Sequence, residues 1–261
     1  MNTYLNRVVK PATDRLREAI GWRSSRARAV TELPPDFDEQ TTRIISAVNE
    51  FTMTTPERVH AAIQAIKYVV ANNIDGAIVE CGVWRAGSTM AMALTLKELG
   101  DETRELYLYD TYSGMSAPTG EDVSISGKPA EKKFNARKTT DDSSQWCLST
   151  IEEVRENVFS TGYPKDKFHF IEGKVEDTLP EKNPSSTIAV LRLDTDWYES
   201  TRHELFHLYP LLATNGVLII DDYGHWQGAR KAVDEYIADN KLCILLNRID
   251  DTGRIAVKIQ P

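Results

Sequence analysis

The feature that most constrains this chain is a regular exchange of hydrophobic periods between residues 77 and 220. Short apolar runs, "AIVEC" (77–81), "ELYLYD" (105–110), "KFHFIE" (167–172), "TIAVLRLD" (187–194) and "NGVLII" (215–220), alternate with segments of helical spacing. Runs this continuously apolar suit strands buried on both faces. Helices of this length between them impose right-handed crossovers and a mostly parallel sheet covered on both sides. The expected fold is α/β, a doubly wound, Rossmann-like sheet of about seven strands. Two last strands, "CILLN" (243–247) and "RIAVKI" (254–259), flank "DDTG", a hairpin signal, and give the sheet a C-terminal antiparallel edge strand.

Helix signals fill the intervals. Thr55-Pro56 reads as a capping hydroxyl before a first-turn proline, followed by the stripe Val59, Ile63, Ile66 and Val70. Residues 87–99 and 226–239 read as helices. Ser149 with Glu152, and Thr201 with Glu204, have capping-box spacing, the second opening a helix that ends near Leu212. The paired prolines of "TELPPDFDEQ" mark a loop. Residues 1–50 are therefore expected to be an N-terminal helical extension making oligomer or lid contacts. Residues 51–261 are expected to form one domain. Within it, 113–146 is polar and irregular, the kind of insertion that is either a solvated loop or a lid over the acceptor site.

Charge separates the two parts. The chain carries a formal charge of −8, yet residues 1–30 hold seven basic against two acidic side chains. An acidic body argues against nucleic acid as a partner, since phosphate neutralisation needs a basic face. The basic start suits a transit peptide, a membrane-surface helix or a terminal helix packed on a second copy; the last reading, with a homodimer, is the expectation. Cys81, Cys147 and Cys243 show no metal-ligand spacing, which points to a reducing, cytoplasmic setting. No apolar stretch has membrane-spanning length.

Two groups of residues carry chemistry. "VECGVWRAGS" (79–88) runs from strand through two glycines into a helix, where backbone N–H groups can approach a ligand. Its spacing is not GxGxxG, and Glu80 would repel a pyrophosphate but attract a sulfonium. Asp110, at the end of the next strand, stands where a carboxylate accepts ribose hydroxyls. Glu80, Gly82, Gly87 and Asp110 together suggest S-adenosylmethionine. The second group is carboxylic: Asp194 and Asp196 end one strand, Asp221 and Asp222 the next. Such a cluster needs a cation, and hard oxygen donors favour Mg²⁺, then Mn²⁺ or Ca²⁺. His225, whose imidazole titrates near neutral pH and which stands three residues after Asp222, is a rival base. Trp197, Tyr198, Tyr223 and Trp226 flank the acids and suit either sugar faces or packing.

These segments resemble the TylF/macrocin family of sugar O-methyltransferases, relatives of the metal-dependent catechol-type enzymes. The resemblance runs from Phe51 to the C-terminus through "FTMT" (51–54), "ECGVWRAG" (80–87), "YDTYSGM" (109–115), "VRENVF" (154–159), "VLRLDTDWYEST" (190–201) and "GVLIIDDYGHW" (216–226). It implies a class I methyltransferase fold, S-adenosylmethionine and Mg²⁺ (or Mn²⁺) as cofactors, and methylation of a deoxysugar hydroxyl on a glycosylated natural product. It implies Asp194, Asp221 and Asp222 as metal ligands and Asp196 as general base. Thr52, Met53, Glu80, Gly82, Val83, Trp84 and Asp110 match the cofactor pocket, to which Gly87, Thr111 and Gly173 are added. The catechol-type lysine base has no equivalent, since Trp197 occupies its place. Alternative acceptors are a surface-polysaccharide sugar or a catechol-like phenol. A nicotinamide-dependent sugar reductase is the rival enzyme class, but its GxGxxG turn and Tyr/Lys pair are not evident.

Overall fold

The structure, a computed structural model, describes residues 33–185 and 187–260. The basic segment 1–30, with its expected oligomer or lid contacts, lies outside the described residues. The first described helix, α1 (Glu39–Val48), is capped by Asp38, whose carboxylate accepts the Thr41 N–H at 2.7 Å. Its Ile44, Ile45 and Val48 are buried in the main core, so the packed body includes part of the stretch assigned by sequence to the extension.

Helix α2 (Pro56–Ala71) begins as its sequence dictates, with Thr55 accepting the Arg58 N–H. Its buried stripe is Val59, Ile63, Ile66 and Val69, one residue short of the expected Val70. Then come β1 (Ala77–Cys81), α3 (Gly87–Glu98) and β2 (Leu106–Asp110). A folded insertion holds α4 (Glu131–Asn135) and the hairpin β3 (Lys138–Thr140) and β4 (Ser143–Ser144). After it follow α5 (Ile151–Phe159), β5 (Phe168–Glu172), α6 (Val175–Thr178), β6 (Ile188–Leu193), α7 (Tyr198–Leu208), β7 (Leu212–Ile220) and α8 (Gln227–Asp239). The chain closes with β8 (Asn247–Arg248) and β9 (Arg254–Val257).

Seven strands form one sheet in the order β5-β2-β1-β6-β7-β9-β8, parallel except for β9 and β8. The expected doubly wound architecture is borne out. The closing hairpin is shorter than expected, because residues 242–246 are not strand. Alternation along each strand divides the core. Ile78, Leu108, Val190 and Ile219 face α1, α2, α3 and α5, whereas Val79, Leu191, Leu218 and Ile220 face α7 and α8. The order reverses between β1 and β6, which makes their carboxyl ends the ligand crevice of such a sheet. Register sets what lines it. Cys81 pairs with Tyr109 and Leu193, and Leu193 with Ile220, so the next residues, Gly82, Asp110, Asp194 and Asp221, stand in one row at the sheet's rim.

Candidate active site

The glycine turn is built by close approach. Gly82 has φ +79°, and a Cβ there would land on the Asp194 carbonyl oxygen. Gly87 lies under Phe51, where a Cβ would meet backbone at 2.6 Å. Trp84 and Ala86 take left-handed φ values of 48° and 66°, so the turn leads its N–H groups inward. Asp110 holds it there: Oδ2 accepts the N–H of Val83 at 2.8 Å and of Trp84 at 3.0 Å, while Oδ1 accepts that of Tyr112 at 2.9 Å. Burial raises the Asp110 pKa, against which those N–H groups work. Asp110 therefore knits two loops before it meets any ligand, a duty its sequence position did not announce.

Two cavities adjoin at the rim. The first is lined by Gly82, Asp110, Thr111, Gly173 and Glu176, the second by Thr52, Glu80, Val83 and Gly87 together with the acids and His225. Met53, Trp84, Cys147, Asp194 and Asp196 line both. The residues expected around a cofactor thus surround a continuous space. Glu80, however, is not a free counter-ion for a sulfonium. It is buried and paired across the sheet with Arg192 at 2.6 Å, its other oxygen taking the Thr89 hydroxyl.

Arg192 organises the carboxylates. Fully buried in β6, it reaches Glu80, Asp194 at 2.8 Å and Asp221. Asp221 also receives Arg58 from α2 and the Thr54 hydroxyl at 3.3 Å, and Arg58 is held in turn by Asp250 at 2.9 Å. Burial opposes ionisation of Asp221, but Arg58 and Arg192 outweigh it and hold the carboxyl below its usual range. The opposite holds for Asp194 and Asp222. Burial first, then neighbouring carboxylates, pushes both well up, with Arg192 opposing at Asp194.

One oxygen from each of Asp194, Asp221 and Asp222 lies within 4.8 Å of the others, and buried Asp222 Oδ2 has no hydrogen-bond partner among the described residues. An all-oxygen donor set with an orphaned buried oxygen fits a hard divalent cation. Sequence reasoning missed Arg58, Arg192, Thr54 and Asp250. Only Arg192, a cation inside an otherwise apolar strand, carried a signal.

Asp196 reaches the site from the turn after β6: the strand stops at Leu193, and Asp196 takes φ +69°. The Trp226 indole N–H donates to its Oδ1 at 2.6 Å. Burial, then the Asp194 charge, pushes its pKa up to about 7. His225 lines the second cavity; burial, then Lys133 and Arg58, lowers its pKa. Of the four flanking aromatics, Trp226 lines the second cavity, and the other three line neither of these two. Trp197 packs between Trp146 and Trp226, and the Tyr198 and Tyr223 hydroxyls bond to Glu235 and Asp234 on α8.

The insertion 113–146 is folded onto this site. Buried Asp122 accepts the N–H of Tyr198 at 2.8 Å and of Thr119 at 2.6 Å. Ile125 N–H donates to His225 O, and Gln227 N–H to Val123 O, each at 2.8 Å.

A doubly wound sheet with a glycine turn and an acidic rim at its switch point defines a class I methyltransferase. The family model described as Macrocin-O-methyltransferase (TylF) matches residues 13–257. Demethyldecarbamoylnovobiocin O-methyltransferase of Streptomyces niveus is 34% identical over 205 residues, 78% of this chain and 74% of its own. The 8-demethyl-8-(2,3-dimethoxy-alpha-L-rhamnosyl)-tetracenomycin-C 4'-O-methyltransferase of Streptomyces olivaceus is 32% identical over 202 residues, 77% of this chain and 73% of its own. The solved O-methyltransferase NovP superposes with a TM-score of 0.70 at 31% identity, covering 80% of this chain and 83% of NovP. The chain belongs to the TylF macrocin O-methyltransferase family and is an O-methyltransferase. The reductase alternative falls with that assignment.

Proposed function

We propose that this enzyme transfers the methyl group of S-adenosylmethionine to a hydroxyl of a deoxysugar on a glycosylated natural product, assisted by Mg²⁺ held by Asp194, Asp221 and Asp222. The observation that carries the reading is the junction of the two cavities at Asp194 and Asp196. A nucleoside in the first cavity would present its sulfonium methyl at that junction, to an acceptor in the second. The acceptor oxygen attacks the methyl carbon in line. The carbon–sulfur bond breaks, its electron pair stays on sulfur, and S-adenosylhomocysteine leaves. Asp196 takes the hydroxyl proton: it lies at the junction, is oriented by Trp226, and has a pKa near neutrality, as a general base requires. A divalent cation, when bound, supplies Lewis-acid stabilisation of negative charge developing on the acceptor oxygen. The rhamnosyl group in the name of the tetracenomycin relative supports a sugar on a natural-product scaffold as acceptor.

The test is a thermal-shift titration followed by a methyl-transfer screen. S-adenosylhomocysteine should raise the melting temperature where NAD(P)H does not. Turnover on deoxysugar glycosides should require Mg²⁺ or Mn²⁺ and vanish in EDTA. Full activity in chelator would remove the metal from the scheme, and transfer only to phenols would remove the sugar.

A further inference from the structure

We propose that Lys133, carried by the insertion helix α4, is the residue that positions the acceptor, donating a hydrogen bond within the second cavity to an oxygen of the sugar. The inference rests on the glycoside reading above. Lys133 lines that cavity together with Asp196, Asp222 and His225. Its Nζ stands 3.7 Å from the centroid of the Trp146 ring. That ring is fixed by Trp197 and Trp226, at centroid distances of 5.5 and 6.1 Å, and Trp226 is the residue whose indole orients Asp196. One aromatic cluster thus carries the base on one side and the ammonium on the other, so their spacing is set when the insertion is folded down.

Burial lowers the Lys133 pKa, against the opposing influence of Cys147 and Asp196. Lys133 lines the second cavity, with Asp196, Asp222 and His225, and not the first, where Asp110 and Gly173 stand. An ammonium presents three rotatable donors, which suits the divergent oxygens of a sugar ring better than a fixed fork does.

Binding to the enzyme saturated with S-adenosylhomocysteine and Mg²⁺ tests this by calorimetry, with demethyldecarbamoylnovobiocin and methyl α-L-rhamnopyranoside as probes. Lys133→Met should weaken binding of a probe that the wild type takes up by about tenfold or more, as loss of a charge-assisted hydrogen bond does. Affinity for S-adenosylhomocysteine and the melting temperature should stay at wild-type values, and Lys133→Arg should recover part of the loss. In turnover, the Lys133→Met defect should fall on KM for the acceptor more than on kcat. Unchanged probe affinity in Lys133→Met overturns the proposal, as does a parallel loss of S-adenosylhomocysteine affinity, which would mark a structural role. A wild type that binds S-adenosylhomocysteine but neither probe overturns the glycoside reading, and this inference with it.

Discussion

Asp222 and Arg192 show how differently two residues of one site respond to removal. Asp222 Oδ2 is buried without a partner, so Asp222→Asn replaces an unsatisfied acceptor at little structural cost. That variant should lose the melting-temperature rise with Mg²⁺ and turnover by two orders of magnitude or more, about 3 kcal/mol. Its S-adenosylhomocysteine affinity should remain near wild type by calorimetry. Arg192 is 2% exposed and holds three carboxylates. Arg192→Met should destabilise the protein by about 3–5 kcal/mol in urea unfolding, because it strands buried negative charge. A loss below about 1 kcal/mol would mean that those acids are neutralised some other way. The acids were legible because each ends an apolar strand in a regular pattern. Arg58 and Asp250 were not, because Arg58 reaches Asp221 from α2 and Asp250 reaches Arg58 from the closing hairpin turn, and no local pattern reports such pairing.

Helices and strands were legible where local chemistry governs, and misplaced where tertiary geometry does. Thr55 caps α2 as expected. The cap of α5 is Thr150, accepting the Glu153 N–H, while Ser149, the expected cap, donates to the Glu153 carboxylate at 2.8 Å. Both register choices satisfy the same spacing, so sequence could not separate them. Thr201 and Glu204 are not a cap at all. They are buried within α7, which begins at Tyr198 because the turn after β6 brings its N–H onto Asp122. The insertion is tied to the body by that contact. Asp122→Ala leaves the Tyr198 N–H without its acceptor, a loss of about 1–3 kcal/mol. Limited proteolysis should then cut within 113–146 sooner than in wild type, with S-adenosylhomocysteine binding retained. Equal cleavage rates would show that other contacts hold the insertion.

For the molecule as a whole, the doubly wound order followed from hydrophobic period alone, because parallel strands buried on both faces leave few other arrangements. The packing of α1 into the core did not, since the prolines of "TELPPDFDEQ" masked the helix just behind them. The rim of acids also sets a pH dependence. Asp194 and Asp222 keep their protons to higher pH folded than unfolded, chiefly through burial, and Asp196 does so up to about 7. From about pH 4 upward the native state therefore binds more protons than the unfolded chain, and stability from these groups falls as pH rises through the folded values. The ion-free protein should melt lower at about pH 8 than at about pH 6, and Mg²⁺ should restore more at the higher pH. A pH-independent Mg²⁺ increment would contradict this origin.

The double guanidinium embrace of Asp221 has a consequence for traffic at the centre. Were a divalent ion held there as proposed above, it would meet a bowl already partly counterweighted by Arg58 and Arg192, and its retention would be looser than an uncompensated trio of acids would impose.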